Sequence, residues 1–191
     1  MKHRFNYDED RHDFGDGTYA VARTKHDESM GEPWKEHDGH GIVSDWTNRE
    51  KKPGERVLSS GIGNRYYDFA ATMRLAKRDG WGLSPDDVAK LAVRLGRQPT
   101  AGDITAEAVE RDFERLRGWC NDEWHWLGVI VELRSTEDDH LISRDSLWGI
   151  ESDGDYWKEV AEELADSLHE QYLKEQAERQ HWAERDTITK E

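Results

Sequence analysis

Imidazole and carboxylate side chains crowd one glycine-rich stretch, His26-Asp27 followed by Trp34-Lys35-Glu36-His37-Asp38-Gly39-His40-Gly41. That combination suits zinc or another divalent ion, with His26, His37, Asp38 and His40 as the candidate ligands of a metal-dependent hydrolase. A turn through Gly39 and Gly41 would fold donors two or three residues apart around one centre. The spacing His37-Asp38-Gly39-His40 matches no strong metal signature, such as two histidines four residues apart on a helix. A structural account is therefore preferred: His37 and Asp38 hydrogen-bond the backbone of a tight turn, Trp34 and Trp46 pin the loop, and no cofactor is required. A nucleophilic triad using Ser44, Ser59 or Ser60 lacks the Gly-x-Ser-x-Gly turn that would present the hydroxyl.

Two further groups admit chemistry. Ser59-Ser60-Gly61-Ile62-Gly63-Asn64-Arg65 is a glycine-containing turn ahead of a predicted helix, where backbone N–H groups and Arg65 would hold an anion. It has neither a phosphate-loop nor a dinucleotide pattern, so an ordinary turn is the preferred reading. The single cysteine, Cys120, falls on the apolar face of a predicted helix as an inert thiol, and it excludes an internal disulfide.

Charge supplies the third candidate. Residues 121–191 hold 20 acidic and 7 basic side chains, which is thirteen of the net fifteen negative charges of the 191-residue chain. Such a surface repels nucleic acid and attracts basic protein surfaces, so direct nucleic-acid binding is not expected. Glu151, Asp153, Asp155, Glu159, Glu162, Glu163, Asp166 and Glu170 are the candidate partner-binding residues. On a helix, carboxylates recurring every three or four residues form a strip that can imitate one phosphate strand. A solvated helix face explains the same acids without any partner.

These groups need elements to position them. Asp155 to Tyr172 reads as a helix with Trp157, Val160, Leu164 and Leu168 on one arc and the acids on the other. Trp124 to Leu133 reads as a central strand, returning through an acidic tip to Ser146–Ile150, and Thr18–Thr24 as another strand. Helices are predicted over 65–79, from Ser84 to Gly96, and over 105–122. The fold class expected is α+β, a small, mainly antiparallel sheet packed with about four helices and closed by an acidic C-terminal helix. Residues 1–16 read as a flexible N-terminus, 17–173 as a single domain, and 174–191 as a polar helical or frayed tail.

Several stretches carry a resemblance: Pro33-Trp34-Lys35-Glu36-His37-Asp38-Gly39-His40-Gly41-Ile42-Val43-Ser44-Asp45-Trp46, Arg65-Tyr66-Tyr67-Asp68-Phe69 with Arg74-Leu75-Ala76-Lys77-Arg78-Asp79-Gly80-Trp81, Trp119-Cys120-Asn121-Asp122-Glu123-Trp124, and Leu147-Trp148-Gly149-Ile150-Glu151. Together they resemble a family of small proteins encoded by actinobacterial bacteriophages. The resemblance implies an accessory gene of phage origin and transfers no catalytic residue. Small acidic phage proteins often block host proteins, restriction or CRISPR machinery among them, so the expected partner is a host protein with a basic surface. With no apolar stretch behind Lys2 and Arg4 and no membrane-length apolar segment, the expected location is the host cytoplasm, away from the membrane.

Overall fold

A computed structural model describes residues 3–188. Along the chain come β1 (Asp10–Asp13), β2 (Thr18–His26), α1 (Pro33–Glu36), β3 (Glu55–Ser60), β4 (Asn64–Asp68), α2 (Phe69–Asp79), α3 (Pro85–Leu95), α4 (Ala101–Cys120), β5 (Trp126–Ser135), β6 (Leu141–Glu151) and α5 (Tyr156–Ile188). Every strand pair is antiparallel, so the protein is α+β. No helix among the described residues is long and apolar enough to cross a membrane.

The sequence predicts one domain over 17–173; in the structure the chain forms two compact units, one from the N-terminal segment through Ser29 together with His125 onward, the other from Met30 to Trp124. The first unit holds a four-stranded sheet in the order β1-β2-β5-β6. Its central strand β5 is apolar at successive positions because both of its faces are covered, and α5 packs on one of them. Ala20 and Ala22 of β2, Leu127, Val129, Val131 and Leu133 of β5, and Ile150 of β6 meet Val160, Ala161, Ala165 and Leu168 of α5. On the other face Glu132 is buried between Arg23 at 3.3 Å and Arg134 at 2.8 Å. Those arginines satisfy a carboxylate that the strand cannot keep in water.

The expectation of a flexible N-terminus is corrected over residues 3–16. Phe5 is 0% exposed within the sheet–helix core, and Asp10–Asp13 pairs with β2. Polar composition hides two aromatic anchors, Phe5 and Phe14; the latter stacks on His169 of α5 at 3.8 Å. In the second unit the four-stranded pattern is absent: β3 and β4 form a two-stranded sheet, and Leu58, Tyr67, Ala76, Val109, Phe113 and Leu116 form the core. Local capping sets the helix starts there. The Asp68 side chain accepts from Ala71 N–H, Ser84 from Asp87 N–H with Pro85 at the first helical position, and Thr100 and Asp103 form a capping box. The helix expected over 65–79 begins four residues late, since Arg65–Asp68 pairs with β3 and Asp68 caps α2.

Because Phe5 is the buried anchor of the N-terminal segment, Phe5→Ala should lower unfolding free energy by about 3–5 kcal/mol, as for a buried phenylalanine elsewhere. Urea denaturation reads this directly, and a loss near zero would show that the segment is no part of the core.

Candidate functional site

The closing helix docks by one face. Val160, Ala161, Ala165 and Leu168 are buried against the sheet, with Trp157, Leu164 and Tyr172 packed half-buried beside them. At 100° per residue this leaves Glu159, Glu163, Asp166 and Glu170 on the opposite arc. Past Tyr172 the helix has left the core, and its large apolar side chains Leu173 and Trp182 are 48% and 60% exposed.

Among the eight candidate acids the structure separates three groups. Glu159, Glu163 and Glu170 are exposed and have no partner among the described residues. Asp155 lies 2.5 Å from Lys158, whose ammonium holds its carboxyl below the usual aspartate range. Glu151 at the end of β6 and Asp153 in the turn after it both have partners already. The third group corrects the picture of one continuous uncovered strip. Arg4 forks onto Asp166 with contacts of 2.7 and 2.6 Å, its own N–H donates to Glu162 Oε1 at 2.6 Å, and His3 Nδ1 stands 3.3 Å from the same oxygen. The N-terminal segment, pinned by Phe5, brings Arg4 and His3 to these acids. The Arg4 hydrogen bonds pull the Asp166 carboxyl below its usual range, against the opposing effect of partial burial.

The His/Asp loop gathers differently from the proposed ligand set. His37 and Asp38 are exposed after α1, while His26 ends β2 in the other unit, its ring 4.9 Å from that of His125. His40 meets a carboxylate that sequence reasoning misses, Asp112 of α4, whose Oδ1 lies 2.7 Å from His40 Nδ1. Asp112 Oδ2 also accepts from Gly41 N–H at 2.8 Å and from the Tyr67 hydroxyl at 2.7 Å. The carboxylate thus ties the loop, β4 and α4 together. Burial, with the Asp112 charge second, pushes the Tyr67 phenol above its usual range and keeps it a donor. No group of three or more His, Cys, Asp or Glu among the described residues is arranged to hold a metal. An imidazole oriented by a buried carboxylate has the form of a general base, yet no serine hydroxyl among the described residues is hydrogen-bonded to it: Ser44 Oγ donates to Asp45 O and accepts from Tyr66 N–H.

Compared with protein-family models, curated proteins and solved structures, the chain matches none.

At Ser59–Arg65 the structure has the ordinary turn preferred from sequence, although a strand follows it where a helix is expected. The turn joins β3 to β4 and opens no helix. Arg65 is buried between the rings of Trp34 and Trp46 at 4.9 and 4.6 Å and reaches Glu32 at 2.5 Å, so its charge is committed to the loop. Burial pushes the Cys120 thiol up to about 11, which keeps it protonated and unreactive at neutral pH. Of the candidate acids among the described residues, Glu159, Glu163 and Glu170 of α5 stay open to solvent.

Two outcomes test these assignments. A Cβ on Gly41 would overlap the buried Tyr67 hydroxyl; Gly41→Ala should cost about 1–3 kcal/mol, read as a lower urea midpoint, because neither group can withdraw. The Asp166 carboxyl is depressed in the fold, so its stabilisation is complete above the ordinary value of 3.8 and disappears as pH falls through the lower folded value. Arg4→Ala should accordingly lower stability at neutral pH and flatten its decline on acidification; parallel acid limbs for the two proteins would refute the pairing.

Proposed function

We propose that the protein is a non-enzymatic binding protein whose α5 presents carboxylates to the cationic surface of a nucleic-acid-binding partner. The observation that carries this reading is the open set Glu159, Glu163 and Glu170, held outward on one arc of a helix whose opposite arc is locked into the sheet. At a rise of 1.5 Å per residue these charges are spaced about 6 and 10 Å along the axis. A groove that binds phosphates through arginine and lysine meets such a row with fast association that weakens with salt. The placement of thirteen of the fifteen net negative charges in residues 121–191 adds a long-range field of the same sign. Within the family that the sequence resembles, this activity would be that of a phage accessory protein occupying a host defence protein in place of DNA, in the host cytoplasm. Leu173, exposed on the same helix three residues after Glu170, offers apolar contact beside the charges.

The measurement is displacement of labelled duplex DNA from an arginine-rich DNA-binding peptide at low and high salt. Glu159→Gln, Glu163→Gln and Glu170→Gln combined should weaken displacement about tenfold or more, as three surface charges facing a cationic partner would. The control is an equal loss of charge at Glu36, Glu50 and Asp86, exposed acids of the other unit. Equal effects of the two triple variants would reduce the reading to net charge alone and overturn it.

A further inference from the structure

The acid face carries a contact that reads as an occupied recognition site. Arg4 presents both terminal guanidinium nitrogens to the two oxygens of Asp166 at 2.7 and 2.6 Å, and Nη2 also donates to the Glu162 carbonyl at 3.3 Å. Its main-chain N–H is taken by Glu162 Oε1 at 2.6 Å, and the His3 ring stands 3.3 Å from that same oxygen. Glu162 and Asp166 are four residues apart on α5, one turn, so their side chains lie side by side. Together they read three features at once: a planar fork, the backbone N–H of the residue that bears it, and an imidazole immediately before it. A lysine reproduces the charge and not the fork.

We infer that Glu162 and Asp166 form an arginine-recognition site for an extended segment of the partner, and that His3 and Arg4 occupy it in the free protein as an internal competitor. This deepens the proposed function and rests on it, naming arginine as the chemistry the acid face selects. Phe5, 0% exposed, holds the competitor in place, so Arg4 is delivered by its covalent neighbour and keeps a high effective concentration at Asp166. The pair is nevertheless reachable, since the Asp166 side chain is 60% exposed. Glu159 and Glu163 on one side and Glu170 on the other remain open around it, so an arginine-rich segment can land on them before it displaces Arg4. The cost of that displacement sets a threshold: isolated cations are turned away and a partner offering several arginines is admitted.

Binding of labelled oligo-arginine and oligo-lysine peptides of equal length to the full chain tests this. Arg4→Ala, which keeps Phe5, should tighten oligo-arginine binding about two- to fivefold, the worth of one exposed charge pair, and oligo-lysine binding by less. Arg4→Lys, folding as the parent does, should give an intermediate gain. Adding Glu162→Gln and Asp166→Asn to Arg4→Ala should erase it. Unchanged affinity in Arg4→Ala, or an equal gain for both peptides, overturns the inference, even where the Glu159, Glu163 and Glu170 variants show the acid face at work. A gain for oligo-arginine that Glu162 and Asp166 account for sustains it, even where DNA displacement fails and takes the proposed function with it.

Discussion

Burial of β5 on both faces is the constraint on which the first unit is built. A strand that carries Leu127, Val129, Val131 and Leu133 on one side and Trp126 and Ile130 on the other has no surface to offer water, so it takes β2 and β6 as neighbours and needs a cover. The amphipathic start of α5 provides that cover on one face. The direction in which the acids point is thus a by-product of packing: once Val160, Ala161, Ala165 and Leu168 are inside, Glu159, Glu163 and Glu170 have nowhere to go but out. A polar helix face of this kind needs no catalytic precision and tolerates the loss of single charges, which suits association more than chemistry.

The second unit shows the opposite use of charged groups. Asp112 gathers His40, Gly41 and Tyr67, and Arg65 is enclosed by two tryptophans and Glu32. His40 and Arg65, whose types suggest a metal or an anion site, spend hydrogen-bonding capacity on Asp112 and Glu32, fixing a loop that has little regular structure of its own. In a stretch with one four-residue helix between β2 and β3, such polar pins take the place of a hydrogen-bonded ladder.

The features legible in the sequence are those set by neighbours along the chain. Ser84, Pro85 and Gly96 bound α3, the spacing of Val109, Phe113 and Leu116 marks the buried face of α4, and the unbroken apolar run marks β5 as central. The hidden features depend on partners far away. His40 finds Asp112 across 72 residues and Arg4 finds Glu162 across 158, and no local pattern records either pairing. The start of α2 is misplaced by sequence for a related reason: Arg65-Tyr66-Tyr67 satisfies a helical spacing equally well, and only pairing with β3 decides for the strand. At the N-terminus, two phenylalanines in an otherwise polar stretch are too few to register as a periodicity, although one of them is wholly enclosed.

The division of the chain into nested units has one more meaning. His26 pairs with Leu127, and Asp27 N–H donates to Trp126 O at 2.9 Å, so the points where the chain leaves the first unit and returns to it are adjacent strand ends. Everything from Met30 to Trp124 is an excursion between two neighbouring rungs of one ladder. Closing so long a detour costs only slightly more than closing a short one, since the entropy grows with the logarithm of loop length. The architecture is therefore that of a host and a guest: a sheet with its helix that a short reverse turn would complete, and an inserted module free to change without rewriting the strand register that surrounds it.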